Sequence, residues 1–220
     1  MKASVVDENY RFIIDEIIES DKDKNIDQSE ELQKKRRAYG AVIGAFVGDA
    51  AGAVLEFIGR NITEQDVEWA LRMEGGGEND MGGGQITDDS EMAMCIMHGL
   101  SDEKSEEIIA ASKVNKASET SELNLDRICL YFKKWLNSGP FDVGMTTRTA
   151  LKAIDINRLN PSDSFRNSYL NTRSSESNGC LMRITPIAVF GHRLSKEKLF
   201  QAVKLQTALT HSNDIAIQSS

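Results

Sequence analysis

Gly82-Gly83-Gly84-Gln85-Ile86-Thr87-Asp88-Asp89-Ser90 runs directly into Glu91-Met92-Ala93-Met94-Cys95-Ile96-Met97-His98-Gly99-Leu100. The first half is a glycine-rich loop that ends in residues suited to begin a helix, with Thr or Asp to cap free N–H groups and acids to complement the dipole. The second half carries Met92, Cys95, Ile96 and Gly99 at i, i+3, i+4 and i+7, one helical face, broadened by Met94 and Met97. The spacing predicts a helix buried on most sides, with two adjacent carboxylates at its mouth. Neither Gly75-Gly76-Gly77 nor Gly82-Gly83-Gly84 lies in a G-x-x-x-x-G-K pattern, so a nucleotide P-loop is not supported. Residues 60–86 read instead as an irregular, mobile, glycine-hinged loop.

Outward from this centre the pattern stays helical. Residues 38–58 carry Gly40, Gly44, Gly48 and Gly52 at every fourth position, close to one helix face. Each glycine costs about 1 kcal/mol of helix stability relative to alanine, which is tolerable where a backbone or ligand approaches closely. Further helices are expected at 123–137, ending at Ser138-Gly139-Pro140, and at 145–155, 180–191 and 195–210. No strand run and no internal repeat is found. The expected fold class is all-α: a charged helical or linker leader at 1–36, followed by a compact multi-helix domain at 37–220.

Composition narrows the function classes. The chain has 220 residues, with 34 acidic against 26 basic side chains and a net charge of −8. A nucleic-acid or anionic-membrane partner met by bulk charge is therefore not expected. Residues 38–59 are mostly small and apolar, but a transmembrane placement would set Asp49 near the bilayer centre at about 3 kcal/mol. A buried helix of a non-membrane protein is the expectation. Cys95, Cys129 and Cys180 are odd in number and far apart, which argues for three reduced, buried thiols and a cytoplasmic location.

Two readings of Thr87-Asp88-Asp89 stand at this point. One is a plain helix cap. The other is a hard-cation site, in which a hydroxyl and neighbouring carboxylates supply the oxygen ligands that Mg²⁺ requires. Asp49 and Glu56, seven residues apart in an apolar helix, need partners as well. A metal–water network, a cationic or hydroxyl-bearing substrate, or a structural Arg such as Arg183 would serve.

The ordered set is more specific than any member. Gly44-x-x-x-Gly48-Asp49-Ala50-x-Gly52-x-x-x-Glu56 precedes the glycine loop and Thr87-Asp88-Asp89-Ser90-x-Met92. Asp142-Val143-Gly144-Met145-Thr146-Thr147-Arg148, Asn178-Gly179-Cys180-Leu181-Met182-Arg183 and Thr210-His211 follow. In this order the chain resembles the ADP-ribosylglycohydrolase family, over roughly residues 37–217. The resemblance implies an all-α domain with two Mg²⁺ ions in a central cleft and hydrolysis of the bond between ADP-ribose and an acceptor. The implied partners are ADP-ribose or an ADP-ribosylated protein. Carried over by motif, Thr87, Asp88 and Asp89 are metal ligands, and Glu56 and Asp89 are catalytic candidates. Substrate-binding candidates are Asp49, Gly144, Ser175, Asn178, Gly179 and His211. Gly144 is expected to approach the ligand through its backbone, the loop 174–179 to cradle the diphosphate, and His211 to touch the ligand near the adenosine.

The sequence also departs from the family pattern. The family's second acidic motif follows the Thr-His region, and here the sequence stops at Ser220. The expectation is a shortened chain that lacks the last helices and half of the binuclear site. Glu176 sets a carboxylate beside the expected diphosphate, and Met145 stands where a small or polar residue is expected. The alternative function is a catalytically impaired relative that binds ADP-ribose or a protein. Of the remaining residues, His98 reads as packed or surface, His192 as a helix C-cap, and Trp135 with Tyr131 as core.

Overall fold

The computed structural model describes residues 30–101, 123–155 and 160–220. The 1–29 part of the leader and the polar stretch 102–122 lie outside the described residues. Two compact units are distinguished, Met1–Tyr39 and Gly40–Ser220. The long helix α1 is Glu30–Gly52, extended by a 3₁₀ turn at Ala53–Leu55. Then come α2 (Glu64–Leu71), α3 (Asp88–Leu100), α4 (Leu125–Asn137), α5 (Met145–Leu151) and α6 (Pro161–Thr172). The chain continues with α7 (Thr185–Phe190), a 3₁₀ turn at Gly191–Arg193, α8 (Lys196–Ala208) and α9 (Asp214–Ser219). Among the described residues the only β pairing is an isolated bridge between Gly76 and Met81. The all-α expectation holds.

The core is centred on α3 and α4. Met92 and Ile96 from α3 and Ile128 and Phe132 from α4 are fully buried, with Leu151, Ile187 and Leu209 closing around them. The two helices approach closely because Gly99 has no side chain: a Cβ there would stand 2.5 Å from Ile128 Cγ1 and 3.1 Å from its Cα. Trp135 is core, as expected, and His98 stacks on Tyr131 at 4.9 Å between ring centroids. His192 Nδ1 lies 2.9 Å from the Val189 carbonyl, the expected C-terminal cap. All three cysteines are free and buried.

Helix α6 is absent from the sequence reading because its buried face is hydroxylic. Ser164, Ser168 and Thr172, at i, i+4 and i+8, are almost fully buried and satisfied by hydrogen bonds. Ser164 Oγ donates to the Leu209 carbonyl at 2.7 Å, Thr172 Oγ1 donates to the Thr210 carbonyl at 3.0 Å, and Ser168 Oγ lies 3.0 Å from Thr172 Oγ1. Apolar periodicity is blind to such a face. Helix α2 lies inside the stretch read as irregular. Its start is a capping box, with Asp66 N–H donating to Thr63 Oγ1 and Thr63 N–H to Asp66 Oδ2.

The glycine loop is fastened rather than hinged. Gly76 and Met81 exchange two backbone hydrogen bonds of 2.8 Å. Gly77 has φ +75° and lies so close to Val54 that a Cβ would stand 2.6 Å from its carbonyl oxygen. The loop is thereby tied to a small cluster of Ala53, Val54, Ala70 and Met81.

The expectation for the first body helix is corrected. Helix α1 is buried only near its C-terminal end, at Ala50: Tyr39 is 44% exposed, Ile43 37% and Val47 48%. Beta carbons placed on Gly40, Gly44, Gly48 and Gly52 would meet nothing within 4 Å, so no described residue makes the close approach that the glycine spacing suggested. Leu32–Leu55 is long and apolar enough to cross a membrane by length and composition, as core helices and signal sequences also are.

Candidate active site

The site is assembled around the N-terminus of α3. Thr87 is its N-cap, with an extended backbone and a side chain that accepts from Asp89 N–H. Asp49, from the last turns of α1, clamps this cap. Its Oδ2 accepts from the backbone N–H groups of Thr87 (3.0 Å) and Ser90 (3.1 Å) and from Ser90 Oγ, and its Oδ1 accepts from Thr87 Oγ1 at 2.7 Å. Asp49 thus finds its partners in the cap itself. Arg183, considered for that role, bonds elsewhere. In this structure Asp49 orients the cap, with both carboxylate oxygens accepting hydrogen bonds from it.

Helix geometry does not put Glu56 on one face with Asp49. The α-helix ends at Gly52, and Glu56 follows the 3₁₀ turn with an extended backbone. Charge still connects the two. Burial first, then Asp142, Asp89 and Asp49, push the Glu56 carboxyl above its ordinary range. Asp88 is raised to about 7 by burial, Asp142 and Asp89, against a lowering hydrogen bond from Gly144. Asp89 is raised by burial and Asp49, and Asp142 likewise by burial and Asp49. Glu91 is raised by burial, then lowered in part by the 2.6 Å bond it accepts from Trp135 Nε1. Six carboxylates therefore share one field. Asp142 and Glu91 are the members that sequence reasoning did not assign; their signal was position, one in the quoted Asp142-Val143-Gly144 motif and one directly after Ser90.

Gly144 is the N-cap of α5, and its N–H donates to Asp88 Oδ2 at 3.4 Å. The expected backbone approach is thus directed, in this structure, at a carboxylate of the cluster. Among the described residues no group of three His, Cys, Asp or Glu side chains is gathered at metal-binding distance. The donor chemistry nonetheless suits a hard cation: every candidate atom is oxygen, and the carboxylates repel one another in a way that a cation relieves. A small cleft beside them is lined by Asp49, Asp89, Ser90, Ala93, Met182 and Thr185.

The second part of the site is the loop before α7. Ser175 Oγ lies 2.8 Å from Thr146 Oγ1 and accepts from Ser177 N–H. The Asn178 carbonyl accepts from Leu181 and Met182 N–H at 2.8 and 3.1 Å, which fixes the turn. Gly179 lies against His211: a Cβ would be 3.0 Å from Cε1 and 3.1 Å from Nε2. His211 is fully buried, with Nε2 2.9 Å from Ser177 Oγ and Nδ1 2.8 Å from Thr210 Oγ1. His211 is thereby held against the loop that the resemblance assigns to the ligand, with Ser177 as its partner there. Burial, with Arg183 nearby, lowers the imidazole to about 3, so it is neutral at physiological pH.

The fold and this site define an ADP-ribosylglycohydrolase-type domain. The model of the family described as ADP-ribosylglycohydrolase matches residues 30–220, and the chain belongs to that family. It is 31% identical over 182 residues to the ADP-ribosyl-[dinitrogen reductase] glycohydrolase of Rhodospirillum rubrum, covering 82% of this chain and 53% of that protein. It is 29% identical over 181 residues to the ADP-ribosylarginine hydrolase Tri1 of Pseudomonas putida (strain GB-1), covering 82% of this chain and 43% of that one. A solved structure, "ADP-ribosylglycohydrolase-related protein complex", shares the fold at a TM-score of 0.56 and 21% identity, over 84% of this chain and 52% of that one. The chain spans about half the length of the curated relatives it matches.

Proposed function

We propose that this protein hydrolyses the glycosidic bond between ADP-ribose and an acceptor, with Mg²⁺ held by Thr87, Asp88 and Asp89. The observation that carries the reading is the field of six carboxylates around the cap of α3, five of them raised by one another as well as by burial. Family membership supplies the reaction class, and the names of the relatives, among them an ADP-ribosylarginine hydrolase, suggest the acceptor. When bound, the cation supplies Lewis acidity and positive charge for ribose oxygens.

The chain's own residues account for the rest. Asp49 holds the Thr87–Ser90 turn so that Asp88 and Asp89 project from a fixed cap. Departure of the acceptor leaves an oxocarbenium-like ribose, which the surrounding negative charge stabilises. A carboxylate that its neighbours' charge and burial raise above its ordinary range is a stronger base than a free one, to the extent that the bound cation leaves that field in place. Asp89 or Glu56 takes a proton from the attacking water while its oxygen bonds to the ribose carbon. The proton is then passed to the acceptor atom that leaves, so that water ends as a hydroxyl on the ribose carbon and a proton on the acceptor. The loop 174–179 offers hydroxyl groups and the close-packed Gly179 to the diphosphate. A cytoplasmic setting fits the three free thiols, of which Cys95 is pushed up to about 12 by burial and is unreactive.

The test is release of ADP-ribose from ADP-ribosylarginine by the full chain. Turnover that needs added Mg²⁺ and falls at least about 100-fold in Asp89→Asn is expected. Full activity in a chain carrying both Asp88→Asn and Asp89→Asn would overturn the assignment. Tight ADP-ribose binding without turnover would favour the non-catalytic alternative.

A further inference from the structure

A chain of four side chains runs from the core to the loop surface, and its direction is fixed by chemistry. Arg183 is fully buried, and its Nη2 lies 2.6 Å from Thr210 Oγ1. A guanidinium only donates, so the Thr210 oxygen accepts. The Thr210 hydroxyl proton then has one acceptor within reach among the described residues, His211 Nδ1 at 2.8 Å. Nδ1 is therefore bare, and the imidazole carries its proton on Nε2. That proton points at Ser177 Oγ, 2.9 Å away. Ser177 Oγ accepts it, and its own hydroxyl proton has no acceptor among the described residues. Ser177 is exposed.

The chain is anchored at both ends. Arg183 Nε donates to Gln206 Oε1 at 2.7 Å, and the guanidinium carbon stands 4.5 Å from the Phe132 ring centroid. Neither contact lets the guanidinium reverse its role. At the other end only a glycine at 179 lets the imidazole lie against the loop. We infer that Arg183, Thr210 and His211 are positioning residues that hold the proton of His211 on Nε2 and so turn the Ser177 hydroxyl proton outward, towards a ligand atom that accepts it. Resting on the proposed function, that atom is an anionic oxygen of the ADP-ribosyl group.

Nitrogen NMR of the full chain reads the relay without any ligand. The protein has three histidines, so a His211→Gln sample assigns the resonances. The expected spectrum shows Nε2 protonated and Nδ1 bare for His211. Thr210→Val should remove this preference, and Thr210→Ser should restore it, with helical circular dichroism retained in the serine variant. An Nδ1-protonated His211 in the native chain would overturn the relay, as would an unchanged spectrum in a folded Thr210→Val. Calorimetry with ADP-ribose then tests the donor. Ser177→Ala, at an exposed position, should weaken binding about 10-fold, in keeping with a hydrogen bond to a charged group. Equal affinity would overturn the donor role. If the native chain binds no ADP-ribose, the proposed function fails, while the nitrogen spectrum still decides the relay.

Discussion

At the scale of single residues, the cation-free protein works against itself. The Asp88 carboxyl is raised from 3.8 to about 7, so the folded chain holds a proton there that the unfolded chain has released. A group raised in this direction contributes stability below its unfolded value and loses it as pH climbs through the folded one. Glu56, Asp89, Glu91 and Asp142 are shifted the same way. Without divalent cations, the melting temperature should fall by about 3 °C or more between pH of about 5 and about 8. Asp88→Asn should flatten that slope, measured by scanning calorimetry; an equal slope in the variant would mean that the charge resides elsewhere. Asp49 matters through its hydrogen bonds. Its four accepted hydrogen bonds organise the cap, so Asp49→Ala should destabilise the chain by about 2 kcal/mol in urea, although it removes a negative charge. Sequence alone showed that Asp49 needed partners in an apolar helix. It did not show which ones, because the contact joins residues 38 and 41 positions apart. His211 was legible as part of a motif, but its burial was not, since the neighbours that cover it come from separate elements.

At the scale of elements, reading succeeded where burial is apolar and periodic. Helices α3 and α4 announce themselves through Met92, Ile96, Ile128 and Phe132, all fully buried. It failed for α6, whose inward face is Ser164, Ser168 and Thr172, and for α2 and α9, which are short. The glycines were legible as residues but not as devices. Gly99 serves the α3–α4 crossing, where Ile128 fills the place of a side chain. Gly99→Ala should therefore cost about 2 kcal/mol, typical of overpacking, although alanine favours a helix by about 1 kcal/mol. Urea unfolding checks this, and a stabilised variant would contradict the crossing described here.

At the scale of the whole molecule, two surfaces stand out. One is the face of α1 with Tyr39, Ile43 and Val47, which no described residue covers. An apolar helical face of this kind favours association. Light scattering of the full chain should show concentration-dependent self-association, reduced in a variant with Ile43→Glu and Val47→Lys at unchanged melting temperature. Scattering that is equally strong in the variant would place the association on another face. The sequence predicted burial here because apolar composition says that a helix wants cover, not that the described residues supply it. The other surface is the acidic cleft, where the functional proposal rests. Its most direct test is calorimetric titration of the full chain with Mg²⁺ at about pH 7.5, where the carboxylates are repelling one another most. Saturable binding that disappears in the Asp88→Asn, Asp89→Asn double variant is the predicted result. No saturable heat up to about 10 mM Mg²⁺, or equal binding by the variant, would contradict a cation site built on Thr87, Asp88 and Asp89.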